Sequence, residues 1–340
     1  MILNEANIKV WSTIGSRATF GLAALELGKT IDDLLILTAD TSTSAGLDRF
    51  KKAYPQKFLD VGISEQNMMG IAAGLASEGT TVFTATFAPF QTLRCCEQIK
   101  VNLGYMGHKV CFVGLASGLV LGVLGYTHCA IEDVAVMRAL SGITILSPAD
   151  CTETVKATLA AASHSESVYI RLTGGAKAPC VYKSDYDFQI GKAIRLKEGR
   201  DVAIVACGTM VYESLEAAKI LEAQGISASV INMHTIKPLD TQMIETLCQA
   251  TQLLVTVEEH SIVGGLGSAV AEFKTTLCSP PPQLILGAPN RYGKSGEYRR
   301  LLETHNLTAP QIADSIAKRL KQVAPSESFL RKNHEIPMAS

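Results

Sequence analysis

An excess of charge of either sign is missing from these 340 residues: 31 Lys and Arg stand against 32 Asp and Glu, a formal net charge of -1. That balance removes the electrostatic case for binding nucleic acid or an acidic membrane surface. Aromatic residues are few, at 6%, and no basic stripe interleaves with them. No CxxC pair occurs among the nine cysteines, two of which, Cys95 and Cys96, are adjacent. An odd count without ligand spacing reads as buried, reduced thiols in a cytoplasmic protein, not as a disulfide frame or a zinc site. Long apolar spans are absent too. The uncharged run from Val110 to Tyr126 is broken by glycines and is shorter than the ~20 residues that cross a bilayer. It is expected to be a buried strand followed by a flexible loop. Met1 to Trp11 mixes Glu5 and Lys9 with apolar residues and lacks the apolar core of a signal peptide. Neither a low-complexity segment nor an obvious internal repeat is present.

What the chain does have is 47% hydrophobic and 19% charged residues, a globular composition, and enough length for two domains with separate cores. Short apolar strands alternate with helical stretches. Strands are expected at 34–37, 81–83, 109–113 and 143–146, with helices at 19–27, 66–77 and 152–162 between them. The alternation predicts an α/β fold with a mostly parallel sheet and helices on both faces. Turn formers gather between Gly174 and Gly191 and mark a break. A second alternating unit follows, with strands at 201–206, 228–231 and 253–257 and an amphipathic helix at 212–223. The expected plan is a first domain over 1–178, a linker over 179–190, a second domain over 191–320 and a loosely held polar tail over 321–340.

The most informative segment is Phe58-Leu59-Asp60-Val61-Gly62-Ile63-Ser64-Glu65-Gln66-Asn67-Met68-Met69-Gly70. An apolar run stops, a lone acid follows, and a small-residue helix begins. This places a carboxyl group where strand ends meet helix starts, the edge at which open α/β sheets bind ligands. For Glu65 a helix N-terminus favours the ionised form and apolar burial the protonated one.

Gly62-Ile63-Ser64-Glu65-Gln66-Asn67-Met68, followed by Ala72-Ala73-Gly74-Leu75-Ala76, resembles the pyrimidine-binding domain of transketolases. Thr86-Phe87-Ala88-Pro89-Phe90 is similar to that family's TFxxF segment, Thr127-His128 through Glu132-Asp133 to its THxxxED segment, and Pro148-Ala149-Asp150 to its PAD segment. Val257-Glu258-Glu259-His260, Gly264-Gly265-Leu266-Gly267 and Gly287-Ala288-Pro289-Asn290-Arg291 resemble its C-terminal domain. The likeness covers most of the chain. Full-length transketolases hold the coenzyme's diphosphate and divalent metal through a GDG motif, which this sequence lacks. The resemblance therefore implies the C-terminal subunit of a two-chain transketolase. A separate N-terminal subunit would hold the diphosphate with Mg2+ or Ca2+, and the site would form between the chains, in a heterotetramer with two copies of each. No metal ligand is expected on this chain.

The resemblance further implies thiamine diphosphate as the coenzyme and two-carbon ketol transfer, from a ketose donor to an aldehyde acceptor, as the activity, with an ylid attacking the carbonyl. By the same likeness, Glu65 bonds the pyrimidine ring nitrogen and activates the coenzyme. Phe87, Phe90 and Ile63 pack around the coenzyme, and Asp40 lies near its thiazolium. Arg17, Ser44 and Arg171 match positions that hold a substrate phosphate, a task suited to guanidinium groups. His128 matches a residue near the substrate hydroxyls that can move protons at neutral pH.

Three positions depart from the family pattern. Leu93 stands where a third pocket aromatic often occurs, and Ala116 and Leu124 stand where a second His and an Asp are usual. Sugar hydroxyls would lose two partners there, at about 1–3 kcal/mol for each buried group left unpaired, so a less hydroxylated or partly apolar substrate is expected. Other readings stay open: a 2-oxoacid dehydrogenase β-type subunit, a 1-deoxyxylulose-5-phosphate-synthase-like activity, or a non-catalytic regulatory subunit. Gly265-Leu266-Gly267-Ser268 lacks the full run of a dinucleotide loop and its later acid, so no nicotinamide site is expected.

Overall fold

The computed structural model describes residues 3–323. Six strands come from the first half of the chain: β1 (Leu34–Thr38), β2 (Phe58–Asp60), β3 (Thr81–Phe87), β4 (Val110–Leu115), β5 (Ile143–Leu146) and β6 (Ser167–Arg171). Six follow: β7 (Ile194–Lys197), β8 (Val202–Ala206), β9 (Ala228–Asn232), β10 (Thr235–Lys237), β11 (Leu253–Ser261) and β12 (Gln283–Ala288). They form a seven-stranded sheet, ordered β10-β5-β6-β4-β3-β1-β2, and a five-stranded sheet, ordered β12-β11-β8-β9-β7. Pairing is parallel except where β10 meets β5 and β7 meets β9. The expected α/β architecture is present in both halves. Every residue of β4, β5, β6, β8, β9 and β11 is buried, as sheets covered on both faces require, and β4, β5 and β8 accordingly read as largely apolar runs without alternation.

β10 has a consequence for the domain plan. Its residues lie in the second half of the sequence, yet Thr235 and Lys237 pair with Leu146 and Ile145 at the edge of the first sheet. The two halves thus share a sheet edge as well as a packed seam. One apolar cluster runs through both, joining Phe112, Met137 and Tyr169 to Val205, Ile231 and Leu266.

The segment expected as a linker is anchored. Asp150 caps the helix Cys151–Ser163 by accepting from the Glu153 N–H at 2.9 Å, the usual role of Asp at that position. Its other oxygen accepts from the N–H groups of Val181 and Tyr182. Tyr182 and Tyr186 stack with ring centroids 3.8 Å apart. Tyr186 donates to Glu153, and the Asn232 side-chain amide donates to both oxygens of Glu153 at 2.9 Å.

The loop after β4 also differs from expectation. It is tied down: Gly118 bridges Ala130, the Leu119 N–H donates to Glu259 at 2.7 Å, and the Gly122 carbonyl accepts from Gly296. Gly118 has φ +73, and a Cβ there would fall 2.3 Å from Glu259 Oε1. Glycine is therefore required both for conformation and for space. Of the expected tail, 321–323 complete the helix Ala309–Val323, and 324–340 lie outside the described residues. All nine cysteines are free; five are buried, but Cys278 is exposed, against expectation. Among the described residues, no helix is long and apolar enough to cross a membrane.

Candidate active site

β1, β2, β3 and β4 run parallel, so their C-terminal ends open on one edge, where α/β sheets bind ligands. At the end of β2, Asp60 organises the turn that leads to the candidate acid. Its Oδ1 accepts from the N–H groups of Gly62 (2.9 Å) and Asp40 (3.1 Å), and its Oδ2 from the Thr38 hydroxyl (2.7 Å). Partial burial raises the pKa of this carboxyl, but these hydrogen bonds outweigh it and hold the group below the ordinary carboxylate range. Asp40 has φ 55 and Gly62 φ 72. Asp is among the few side-chain-bearing residues that adopt such backbone readily.

Glu65 is the first residue of the helix Glu65–Ser77 and is 4% exposed. Its Oε2 meets Arg94 Nη1 at 2.7 Å. An open cavity of about 340 Å3 lies before it, lined by Ile63, Ser64, Gln66, Asn67 and Arg94. The Ile63 side chain is 77% exposed beside it. Phe87 ends β3 and Phe90 follows in the short helix Ala88–Gln91, where Pro89 suits the first turn. Their rings meet edge to face at 6.2 Å. His128 lies edge-on to both, 6.3 Å from Phe87 and 5.3 Å from Phe90, and its Nδ1 is 3.0 Å from the Thr127 hydroxyl. Arg94 lies over Phe90, its guanidinium carbon 4.0 Å from the ring centroid. One connected cluster therefore unites Glu65, Arg94, Phe90, Phe87 and His128.

Arg17 and Ser44 form a second, smaller group. Arg17 Nη1 donates to the Ser44 carbonyl at 3.3 Å, and burial lowers the Arg17 pKa from its ordinary value. The Thr41 hydroxyl, from the same segment as Ser44, donates to the Ala85 carbonyl of β3 at 2.8 Å. This fixes the segment at the C-terminal strand edge. Ala116 is buried and Leu124 is 55% exposed.

Arg171 does not join either group. It is 1% exposed and spends its donors inside the protein: Nε on Asp133 Oδ2 at 2.8 Å, and Nη2 on the carbonyls of Ala130 (3.0 Å) and Glu259 (2.8 Å). The Tyr169 hydroxyl donates to the same Asp133 oxygen at 2.7 Å. A guanidinium sealed in this way cannot reach a substrate, which corrects its expected place in a phosphate clamp. It fastens the two domains instead. The glycine-rich stretch after β11 has a structural task too: Glu258 accepts from the N–H groups of Leu266 and Gly267 at the start of the helix Leu266–Lys274.

The double α/β frame carries a buried carboxylate and, joined to it through Arg94, an aromatic pair at the ends of parallel strands, where such sheets bind ligands. The chain belongs to the transketolase family: residues 12–176 match the transketolase pyrimidine binding domain and residues 191–312 the transketolase C-terminal domain. It is 36% identical over 310 residues to an apulose-4-phosphate transketolase subunit of Phocaeicola vulgatus, covering 91% of this chain and 98% of that one. It is 38% identical over 296 residues to the 6-deoxy-6-sulfo-D-fructose transketolase subunit SqwH of a Clostridium species, covering 87% and 91%. A solved structure described as a split gene transketolase, inactive beta4 tetramer, superposes with a TM-score of 0.84 at 40% identity, covering 91% of this chain and 99% of that one. These relatives share the two-domain C-terminal extent of this chain, and members of the family use thiamine diphosphate. The chain is a transferase subunit of the transketolase type.

Proposed function

We propose that this chain supplies the pyrimidine half of a two-chain transketolase active site in the cytoplasm, and that Glu65 is its coenzyme-activating acid. The carrying observation is a buried carboxylate on an open cavity, joined through Arg94 to the Phe87–Phe90 pair. That set fits an aminopyrimidine, which offers a flat apolar face and a ring nitrogen able to share a proton. When bound, thiamine diphosphate supplies the carbanion chemistry that moves a two-carbon ketol unit. Glu65 holds a proton at the ring nitrogen, and Phe87 and Phe90 orient the ring and exclude water from it. Ile63 extends the apolar wall, and Asp40, held by Asp60, lies on the thiazolium side. His128, edge-on to Phe90, moves protons on the substrate side. An N-terminal partner chain holds the diphosphate with Mg2+ or Ca2+, in a heterotetramer with two copies of each chain.

Arg17 and Ser44 form the substrate's anionic subsite. A guanidinium carries five N–H donors, and the contact to Ser44 uses one of them. The relatives named above act, by their names, on a sugar phosphate and a sulfo-sugar, both anionic at one end. Leu124 presents an exposed apolar side chain where the family pattern has an Asp, and the buried Ala116 offers no polar group, which favours a less hydroxylated or partly apolar substrate.

The experiment is to co-purify the chain with its N-terminal partner, add thiamine diphosphate and Mg2+, and compare ketol transfer by wild type and Glu65→Ala across a panel of donors and acceptors. Loss of transfer in the variant is expected; equal rates would remove Glu65 from the mechanism. Strong activity on xylulose 5-phosphate with ribose 5-phosphate would overturn the reading of an altered substrate.

A further inference from the structure

Arg94 makes both of the contacts that the aminopyrimidine would need. Its guanidinium is planar, cationic and rich in N–H donors. It lies over the Phe90 ring with Cζ 4.0 Å from the centroid, and its Nη1 bonds Glu65 Oε2 at 2.7 Å. A coenzyme pyrimidine bound by Glu65 and Phe90 would present the same pair of features: a flat conjugated face for the phenyl ring and an N–H bond for the carboxylate. Both ligands call on the same acid and the same aromatic ring.

Arg94 is also built to leave. Its side chain is 42% exposed, whereas Glu65 is 4% exposed, so the acid is enclosed and the guanidinium borders solvent. The main chain at Arg94 is anchored: its carbonyl accepts from Gln66 Nε2 at 3.1 Å, and its N–H donates to the Pro89 carbonyl at 3.2 Å. Rotation of the side chain alone therefore vacates the slot. No other cation is paired with Glu65 among the described residues. While Arg94 is in place, the buried carboxylate is not left unpaired, a state that would otherwise be costly.

From this we propose that Arg94 is a built-in surrogate for the coenzyme's aminopyrimidine: it holds Glu65 and Phe90 in position while the site is empty and must swing aside for thiamine diphosphate to bind. Resting on the assignment of Glu65 above, this makes Arg94 a positioning residue whose release is part of coenzyme loading. Loading then carries a conformational tax, because apparent affinity falls by the fraction of molecules in which the slot is open. Removing the side chain lifts that tax. It also bares Glu65, so the coenzyme-free protein loses stability while the loaded protein does not.

The test is calorimetric titration of the assembled two-chain enzyme with thiamine diphosphate in the presence of Mg2+, for wild type, Arg94→Ala, Arg94→Lys and Glu65→Gln. Thermal midpoints are recorded with and without the coenzyme. Arg94→Ala is expected to bind about tenfold more tightly, to melt lower when empty, and to show a larger upward shift on loading. Arg94→Lys keeps the charge but not the plane, and is expected to fall between wild type and Arg94→Ala. Glu65→Gln is expected to bind weakly whatever stands at position 94. If wild type and Arg94→Ala bind equally, or Arg94→Ala binds more weakly, Arg94 is a support of the loaded site and the surrogate role is overturned, with the Glu65 assignment intact. If Glu65→Gln binds as wild type does, the Glu65 assignment fails and the surrogate role falls with it.

Discussion

Arg171 and Asp133 form an ion pair at 2.8 Å, with side chains 2% and 0% exposed. The pair sits where β6 ends and the short helix Asp133–Arg138 begins. Because Arg171 also holds the Glu259 carbonyl of β11, it is a rivet through the seam between domains. Removing one partner of such a pair strands a buried charge, at about 3–5 kcal/mol. Arg171→Met should therefore lower stability by about that amount in urea titration, and the double variant Arg171→Met/Asp133→Asn should recover part of the loss. A variant of native stability with a raised KM for phosphorylated substrates would restore Arg171 to the substrate site.

Glu153 sets a pH dependence. Burial, opposed by hydrogen bonds from Asn232, Ala149 and Tyr186, raises its pKa to about 7. The folded state therefore holds this proton more tightly than the unfolded chain does. The resulting stability is fully present below the unfolded carboxyl pKa near ~4.3 and is lost as pH rises through about 7. Asp150, pushed up to about 6 with burial as the main cause, acts in the same direction. The protein should melt higher at pH 5 than at pH 8. Glu153→Gln should flatten that slope, because Asn232 Oδ1, which has no partner, can turn to accept from the new amide. A variant with the full wild-type slope would rule Glu153 out as its source.

Gly118→Ala should be severe for a loop change, because Gly118 is buried. The new methyl group would enter the space of Glu259 Oε1 on a backbone with φ +73. Strain of this kind costs about 1–3 kcal/mol, and the Leu119–Glu259 bond would break with it. Guanidinium unfolding should register a loss of at least that size. A change under half a kilocalorie would mean that the loop yields easily.

Phe90→Leu keeps apolar volume but removes the face on which Arg94 lies and the edge contact with His128. Aromatic pairs contribute about 0.5–1.5 kcal/mol beyond burial. Coenzyme affinity in the assembled enzyme should drop about threefold to tenfold with little change in melting temperature. Unaltered affinity would place the ring outside the coenzyme pocket.

Leu124→Asp tests the substrate reading. With its side chain 55% exposed, the position tolerates a charge without a packing cost. If the apolar approach excludes sugar hydroxyls, the carboxylate should raise kcat/KM for polyhydroxylated acceptors by up to about tenfold, as one hydrogen bond regained allows. An unchanged substrate profile would show that position 124 does not meet the substrate.

Much of the fold was legible because the central strands are covered on both faces and so read as plain apolar runs: Leu34–Thr38, Val110–Leu115 and Val202–Ala206 are examples. The site acid was legible because strand end, turn and helix start fall within a few residues at Asp60 to Glu65. Two kinds of information were hidden. Thr235–Lys237 is a short polar-flanked strand whose partner is about 90 residues away in sequence, and no local pattern announces such pairing. Arg171 resembled a ligand for phosphate because residue type carries no record of burial; only the fold brings Asp133 and two carbonyls around it. Arg94 carries no motif of its own; it lies in the turn after the short helix Ala88–Gln91, and only the fold brings it over Phe90 and onto Glu65. The loop at Gly118 was expected to be mobile because its partner, Glu259, is 140 residues distant from Leu119.

The strand Thr235–Lys237 limits how this polypeptide can be divided. A protease nick anywhere between Gly174 and Gly191 would leave the two fragments knitted through a common edge, migrating as one species until denatured. A recombinant piece ending at that point would expose the bare flank of Ile143–Leu146 and invite aggregation.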